Sequence, residues 1–291
     1  MIRPHGGPLS GAEPPVPPGL ATLATAVFTD LDDTLLDQEG AVDVESTKLI
    51  YHLVKSGIPV VPVTSKTAAE VQRLRADLEL DGPYVVENGS AIHDWPGPGE
   101  STIWGPNYGE VRQAFIGLKR RYPLVGFGDI SVSHLSRICS FDVTSAENAK
   151  NRSSSEPFFL TGGCDFERLR LEVEKQGFRI ASGGRFFCLQ GAQNSKGRAI
   201  EHLTHAFAQS HREKPTTIGV GHAPNDVSML RAVSIAVVMP DHCLSEELKA
   251  QLPHAYFSQQ PSWSGIVCEA LGKLTATEAS KTSDAKENHH V

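Results

Sequence analysis

The 291-residue sequence contains no run approaching the roughly 18 consecutive apolar residues that a membrane-spanning helix needs, and its N-terminus lacks the charged-then-apolar order of a secretory signal. Its five cysteines, Cys139, Cys164, Cys188, Cys243 and Cys268, are scattered, form no C-x-x-C pair and are odd in number. That argues against a disulfide framework or a thiolate zinc site. None of the twelve histidines forms an H-x-x-x-H pair, so a zinc hydrolase of that type is not indicated; His242 and His254 are expected in loops, and His289 and His290 in a solvated tail. An excess of positive charge is also missing. The formal charge of −7 disfavours nonspecific binding to nucleic acid or to an anionic membrane, while leaving room for a local basic pocket. These absences point to a small-molecule partner and a reducing cytoplasm.

With 40% apolar and 21% charged residues, the chain can bury one large core, or a core plus a smaller unit. Residues 1–21 are dense in Pro and Gly and 273–291 are polar, so a flexible leader and tail are expected there. Between them, β-branched runs alternate with amphipathic helical patterns. AVFTD at 26–30 is followed by a helix over about 43–56, a strand over 58–63, a helix over about 67–78, and PYVVEN at 83–88. Gly57 marks the end of the first helix. This β-α-β-α-β order predicts a parallel sheet with right-handed crossovers. The rhythm returns with a helix over 196–209, strand 216–221, a helix over 225–232 and strand 234–239. The intervening stretch reads differently, with helices near 107–121 and 165–176 and strands FRIA and RFFCLQ. The expected architecture is an α/β, Rossmann-like three-layer core built from 22–91 and 190–272, with an α+β cap inserted over 92–189.

In open α/β sheets, ligands sit at the carboxyl ends of the strands. Asp30 and Asp32, Thr64 and Lys66, and Asn225 and Asp226 all fall at such ends. Two carboxylates one residue apart can bind a divalent cation while one of them stays free to attack phosphorus; the same D-D-T could equally be a turn capping the sheet. Thr64 could bind phosphoryl oxygens or serve as a helix N-cap. Lys196 opens a helix and could be a charge partner or an exposed loop lysine. Lys66 divides between an anion contact and a solvated helix-start charge. Glu87-Asn88-Gly89 reads as a ligand loop or as a strand-ending turn, since Asn-Gly is a turn signal by itself.

Asp30-Leu31-Asp32-Asp33-Thr34 resembles the first motif, D-x-D-x-T, of the haloacid dehalogenase superfamily of phosphohydrolases. The chain further resembles the mannosyl-3-phosphoglycerate phosphatase family. The matching stretches are Thr64-Ser65-Lys66-Thr67, Val86-Glu87-Asn88-Gly89, Gly126-Phe127-Gly128-Asp129, Arg152 with Ser155-Glu156-Pro157-Phe158, Gly184-Arg185-Phe186, and Pro224-Asn225-Asp226. The resemblance implies that Asp30 is a nucleophile forming an aspartyl-phosphate and that Asp32 is the acid and base, with Thr64 and Lys196 completing the catalytic set. It implies substrate contacts from Ser65, Lys66, Glu87, Asn88, Gly89, Arg152, Glu156 and Arg185. Arg185 would grip the acidic part of the substrate, because a guanidinium holds a carboxylate or phosphate with two bonds. The implied cofactor is Mg2+ or another divalent cation such as Mn2+ or Co2+, held by Asp30, Asp32, His222, Asn225 and Asp226. The product would be mannosylglycerate, a compatible solute. A broader sugar-phosphate phosphatase and a silent sugar-phosphate-binding protein are the rival readings.

One departure stands out. The family's fourth motif, G-D-x-x-N-D, reads Gly221-His222-Ala223-Pro224-Asn225-Asp226 here, so an imidazole replaces a metal-ligating carboxylate. Magnesium prefers oxygen ligands, whereas imidazole suits manganese, cobalt, nickel or zinc. Three outcomes are open at this level: a changed metal, magnesium held more weakly, or lost turnover.

Overall fold

The computed structural model describes residues 25–183, 185–211, 215–240 and 246–274. The expected leader, the expected tail beyond residue 274, Gly184, His242, Cys243, His289 and His290 lie outside the described residues. No helix among the described residues is long and apolar enough to cross a membrane.

Five parallel strands form the central sheet, in the order β12 (Tyr256–Phe257), β11 (Ile235–Val238), β10 (Thr216–Gly221), β1 (Thr25–Thr29), β2 (Val60–Pro62). Every residue of β1 is buried, because alternate side chains enter different layers. Val27 packs with Leu49, Ile50 and Leu53 of α1 (Val44–Lys55) and with Trp263, Ile266 and Leu271 of α10 (263–274). Phe28 packs on the other face with Ala199, Ile200 and Leu203 of α7 (Lys196–His211) and Met229 and Leu230 of α8 (Val227–Ala232). The α/β three-layer core expected from the sequence is therefore present. α1 starts at Asp43, whose side chain accepts from Ser46 N, and α2 (Ala68–Asp77) starts with a reciprocal capping box between Thr67 and Glu70.

The parallel series reaches β3 (Tyr84–Val86) through only one bridge, Val63 to Val85. The chain then reverses at Glu87, Asn88 and Gly89, all at positive φ, and β3 pairs antiparallel with β4 (Ala91–His93), which pairs with β5 (Ser101–Ile103). The turn signal of Asn-Gly overrides continuation of the parallel pattern. Ile92, Trp95 and Trp104 of this hairpin pack on the Phe28 face of the core.

The remaining unit is an antiparallel sheet, ordered β6 (Leu124–Gly126), β7 (Ser155–Leu160), β9 (Phe186–Gly191), β8 (Phe178–Gly183). Val111 and Phe115 of α3 (Tyr108–Lys119) and Leu169 and Val173 of α6 (Phe166–Lys175) pack with Phe158 and Leu189. Two helices the sequence pattern did not reveal, α4 (Val132–Cys139) and α5 (Val143–Lys150), form a second small core with Phe127 and Phe186. Each of these short helices buries few residues, so no apolar stripe announces them. α9 (Glu246–Gln251) completes the α-helices among the described residues.

Polar bonds fix the junctions within and between the two units. Asn194 Nδ2 donates to Ser90 Oγ at 3.0 Å and to the Trp104 carbonyl at 3.2 Å, and Ser154 Oγ donates to the Pro106 carbonyl at 2.6 Å. Glu87 adds the densest tie, accepting from Ser153 N (2.7 Å), Ser154 N (3.1 Å) and Ser155 Oγ (2.5 Å).

Candidate active site

Asp30 follows the last residue of β1, and its N–H donates to the Val220 carbonyl of β10 at 3.0 Å, which locks it at the carboxyl edge of the sheet. Lys196, the first residue of α7, is fully buried below it. Its Nζ donates to Asp30 Oδ1 at 2.7 Å and to Asp226 Oδ1 at 2.6 Å. Burial and the neighbouring Asp226 carboxylate push Asp30 up to about 6, against the pull of Lys196 and His222. Lys196 is held above its ordinary value: burial opposes its charge, but Asp226 and Asp30 outweigh that. The exposed-loop reading of Lys196 is excluded by this placement.

Asp226 is committed elsewhere. Its Oδ2 accepts from the N–H groups of His222 and Ala223, both at 3.0 Å, and its Oδ1 takes Lys196, so it shapes the turn after β10 with no oxygen left unbonded. His222 Nδ1 lies 3.0 Å from Thr34 Oγ1 and 3.7 Å from Asp30 Oδ2. Asp30, His222 and Asp226 bring one ligand atom each within 4.8 Å of one another, the arrangement of a cation site. Asn225 adds an Oδ1 that is buried without a partner. The donors fit a divalent cation, with nitrogen beside oxygen in place of an all-oxygen set.

Asp32 points its carboxylate outward, half exposed, to Lys66 Nζ at 2.7 Å. Lys66 is held above its ordinary value; burial works against the charge, and Asp32 and Glu70 prevail. Thr64 is fully buried behind the Ser65–Lys66 wall, its Oγ1 accepting from Lys66 N at 3.2 Å. The helix N-cap that the sequence allowed at Thr64 falls instead at Thr67.

Above Asp30 lies a cavity of about 330 Å³ whose wall includes Asp32, Ser65, Lys66, Asn88, Arg152, Arg185, His222 and Asn225. Asn88 Oδ1 accepts from Asn225 Nδ2 at 3.1 Å. Arg152 is nearly spent, with Nε on the Ala149 carbonyl, Nη1 on the Ser65 carbonyl and Nη2 3.7 Å from Glu70. Arg185 gives Nη2 to the Ile138 carbonyl at 2.6 Å and is otherwise exposed.

Three of the expected substrate residues do not face this cavity. Glu87 is taken by the 153–155 segment. Gly89 faces the Ser195 carbonyl so closely that a Cβ would overlap it. Glu156 lies on the far face of β7 from Pro157, with Tyr108 Oη donating to its Oε2 at 2.8 Å and Gly128 N to its Oε1 at 2.8 Å. Conversely, Gln38 and Phe141 line the cavity with no local signal to mark them, while Phe127 and Phe186 line it from within matched stretches that had assigned them no ligand role. Phe141, an aromatic with no motif around it, reads as ordinary core.

A buried aspartate gripped by a lysine at the carboxyl edge of a parallel sheet, beneath a separate antiparallel unit, defines a hydrolase-type α/β class. The model of the haloacid dehalogenase-like hydrolases matches residues 27–98. A glucosyl-3-phosphoglycerate/mannosyl-3-phosphoglycerate phosphatase of Persephonella marina is 34% identical over 85% of this chain and 97% of its own length. A mannosyl-3-phosphoglycerate phosphatase of Pyrococcus furiosus is 30% identical, covering 75% and 92%. Among solved structures, a Thermoplasma acidophilum protein aligns with TM-score 0.65 at 18% identity, covering 86% of this chain and 98% of that one. A sugar phosphatase of haloacid dehalogenase subclass IIB aligns at 0.62 and 20%, covering 86% and 99%. The chain belongs to the haloacid dehalogenase-like hydrolases and, within them, to the family of glucosyl- and mannosyl-3-phosphoglycerate phosphatases.

Proposed function

We propose that the chain removes phosphate from mannosyl-3-phosphoglycerate or its glucosyl counterpart, through an aspartyl-phosphate on Asp30. The observation that carries this reading is the contact of buried Lys196 with Asp30 at the floor of the cavity. The ammonium offsets the charge that a phosphate ester brings toward a carboxylate.

Asp30 Oδ2, the oxygen not bonded to Lys196, attacks phosphorus. The glyceryl oxygen leaves with a proton from Asp32. Asp32 then takes a proton from the water that opens the aspartyl-phosphate, releasing inorganic phosphate and glycosylglycerate. Lys66 pairs with Asp32 across the cavity wall and meets the incoming anion. Arg185, with donors to spare, takes the glycerate carboxylate. The core, residues 22–91 and 190–272, carries the chemistry, and the inserted cap, 92–189, supplies the aromatic wall and Arg185.

A divalent cation, Mg2+ or another such as Mn2+ or Co2+, would neutralise phosphoryl charge when bound. Asp30, the main-chain carbonyl of Asp32, His222 and Asn225 would hold it. We place the enzyme in the cytoplasm, where it would make a compatible solute such as mannosylglycerate.

The test is phosphate release from mannosyl- and glucosyl-3-phosphoglycerate beside glucose 6-phosphate, with Asp30→Asn as control. Turnover of a glycosyl-3-phosphoglycerate far above that of glucose 6-phosphate, lost in the variant, supports the reading. Comparable hydrolysis of many esters would instead indicate a broad sugar phosphatase. A melting shift without phosphate release would indicate a binding protein.

A further inference from the structure

Two contacts bring the cap and the core together on either side of the cavity. On one side, Arg152 Nη1 donates to the Ser65 carbonyl at 2.8 Å, and Thr67 Oγ1 donates to the Asn148 carbonyl at 2.9 Å. On the other, Gly183 at the end of β8 lies against the side chain of Asn225, which follows β10 in the core. Both Gly183 and Asn225 border the cavity.

The second contact has no bond of its own. Asn225 Nδ2 is turned to Asn88, and Oδ1 is buried without a partner. What permits the approach is the missing side chain. A Cβ on Gly183 would stand 2.8 Å from both Cγ and Oδ1 of Asn225 and 2.9 Å from Nδ2. Gly183 sits in a strand conformation open to any residue, so its backbone does not demand glycine; the amide facing it does. That amide cannot readily yield, because Asn88 holds its nitrogen.

We propose that Gly183 is a positioning residue that determines specificity: its bare Cα against Asn225 lets the cap close over the cavity, and any side chain there props the cap open. The inference rests on the glycosyl-3-phosphoglycerate phosphatase reading. A substrate that reaches from the Asp30 floor to Arg185 needs the closed cap, whereas a small aryl phosphate needs only the core.

The test combines kinetics with a distance. In Gly183→Ala, kcat/KM for mannosyl-3-phosphoglycerate is expected to fall about tenfold or more, while p-nitrophenyl phosphate is still turned over. Spin labels carried on ketone side chains introduced at exposed Glu45 of the core and Lys175 of the cap would report a longer separation in the variant. Removing the opposing amide should restore the wild-type separation, so the double variant Gly183→Ala/Asn225→Ala is read by distance alone. An unchanged distance in Gly183→Ala, equal losses on both substrates, or failure of the double variant to close would each overturn the proposal. If the wild-type protein hydrolysed no glycosyl-3-phosphoglycerate, the substrate reading would fail, and the distance series would still decide the contact.

Discussion

His222 Nδ1 stands 3.7 Å from Asp30 Oδ2, the oxygen that Lys196 leaves unbonded. A nitrogen donor thus shares the site with the Asp30 carboxylate, and Asp226, the other carboxylate of the cluster, has both oxygens engaged by the protein.

The first prediction concerns the cation. Titration calorimetry on the wild-type protein should rank Mn2+ and Co2+ above Mg2+, and His222→Asp should raise Mg2+ affinity by about tenfold, since it returns a charged oxygen ligand. Equal affinity of the wild type for Mg2+ and Mn2+ would remove the argument.

Asp30 makes a pH-dependent contribution to stability. Its pKa is raised from 3.8 to about 6 in the fold, so the folded state binds the proton more tightly than the unfolded chain does. The associated stability is fully present below pH 3.8 and is lost as the pH rises through about 6. In metal-free buffer, Asp30→Asn should therefore be more stable than wild type at pH 7, by on the order of 2–3 kcal/mol, with the gap closing toward pH 4. Urea unfolding at the two pH values measures it.

Glu87 should behave as a structural carboxylate. Glu87→Ala strands the N–H groups of Ser153 and Ser154 and the Ser155 hydroxyl in a buried junction, at a cost of about 3 kcal/mol. The check is chemical denaturation with and without substrate. Weakened substrate binding at unchanged stability would mean that Glu87 contacts the ligand after all.

Gly89 carries a different demand. Its φ is +88°, and a Cβ would overlap the Ser195 carbonyl just ahead of Lys196. Gly89→Ala should destabilise the protein by roughly 2–4 kcal/mol and lower kcat by displacing Lys196 from Asp30. Wild-type kcat in a folded variant would show that the 87–89 turn and α7 move independently.

Much of the core was legible in advance because local pattern records burial and backbone preference. The run before Asp30 folds as a strand buried on both faces, β10 spans Thr216–Gly221 as expected, and α1, Val44–Lys55, falls within the helix expected over about 43–56 and buries Leu49, Ile50 and Leu53. The short helices α4 and α5 were not legible, since two buried alanines in α5 and one leucine in α4 leave no apolar stripe. Phe141 gave no hint of lining a ligand cavity, because an aromatic's surroundings are set by distant chain.

The sequence by itself determined the order of strands and helices, the arrival of Asp30, Thr64 and Asn225 at one sheet edge, and the substitution of imidazole for carboxylate at His222. Only the tertiary structure decided how each acidic group is used. Glu87 and Glu156 are spent on the protein's own donors, Asp226 is tied to Lys196 and to two turn N–H groups, and Asp30 keeps one oxygen unbonded by Lys196. The physical reason is that a carboxylate's role depends on which donors reach it. Glu87 meets Ser153 from 66 residues away, and Lys196 meets Asp30 from 166, separations over which local pattern carries no record.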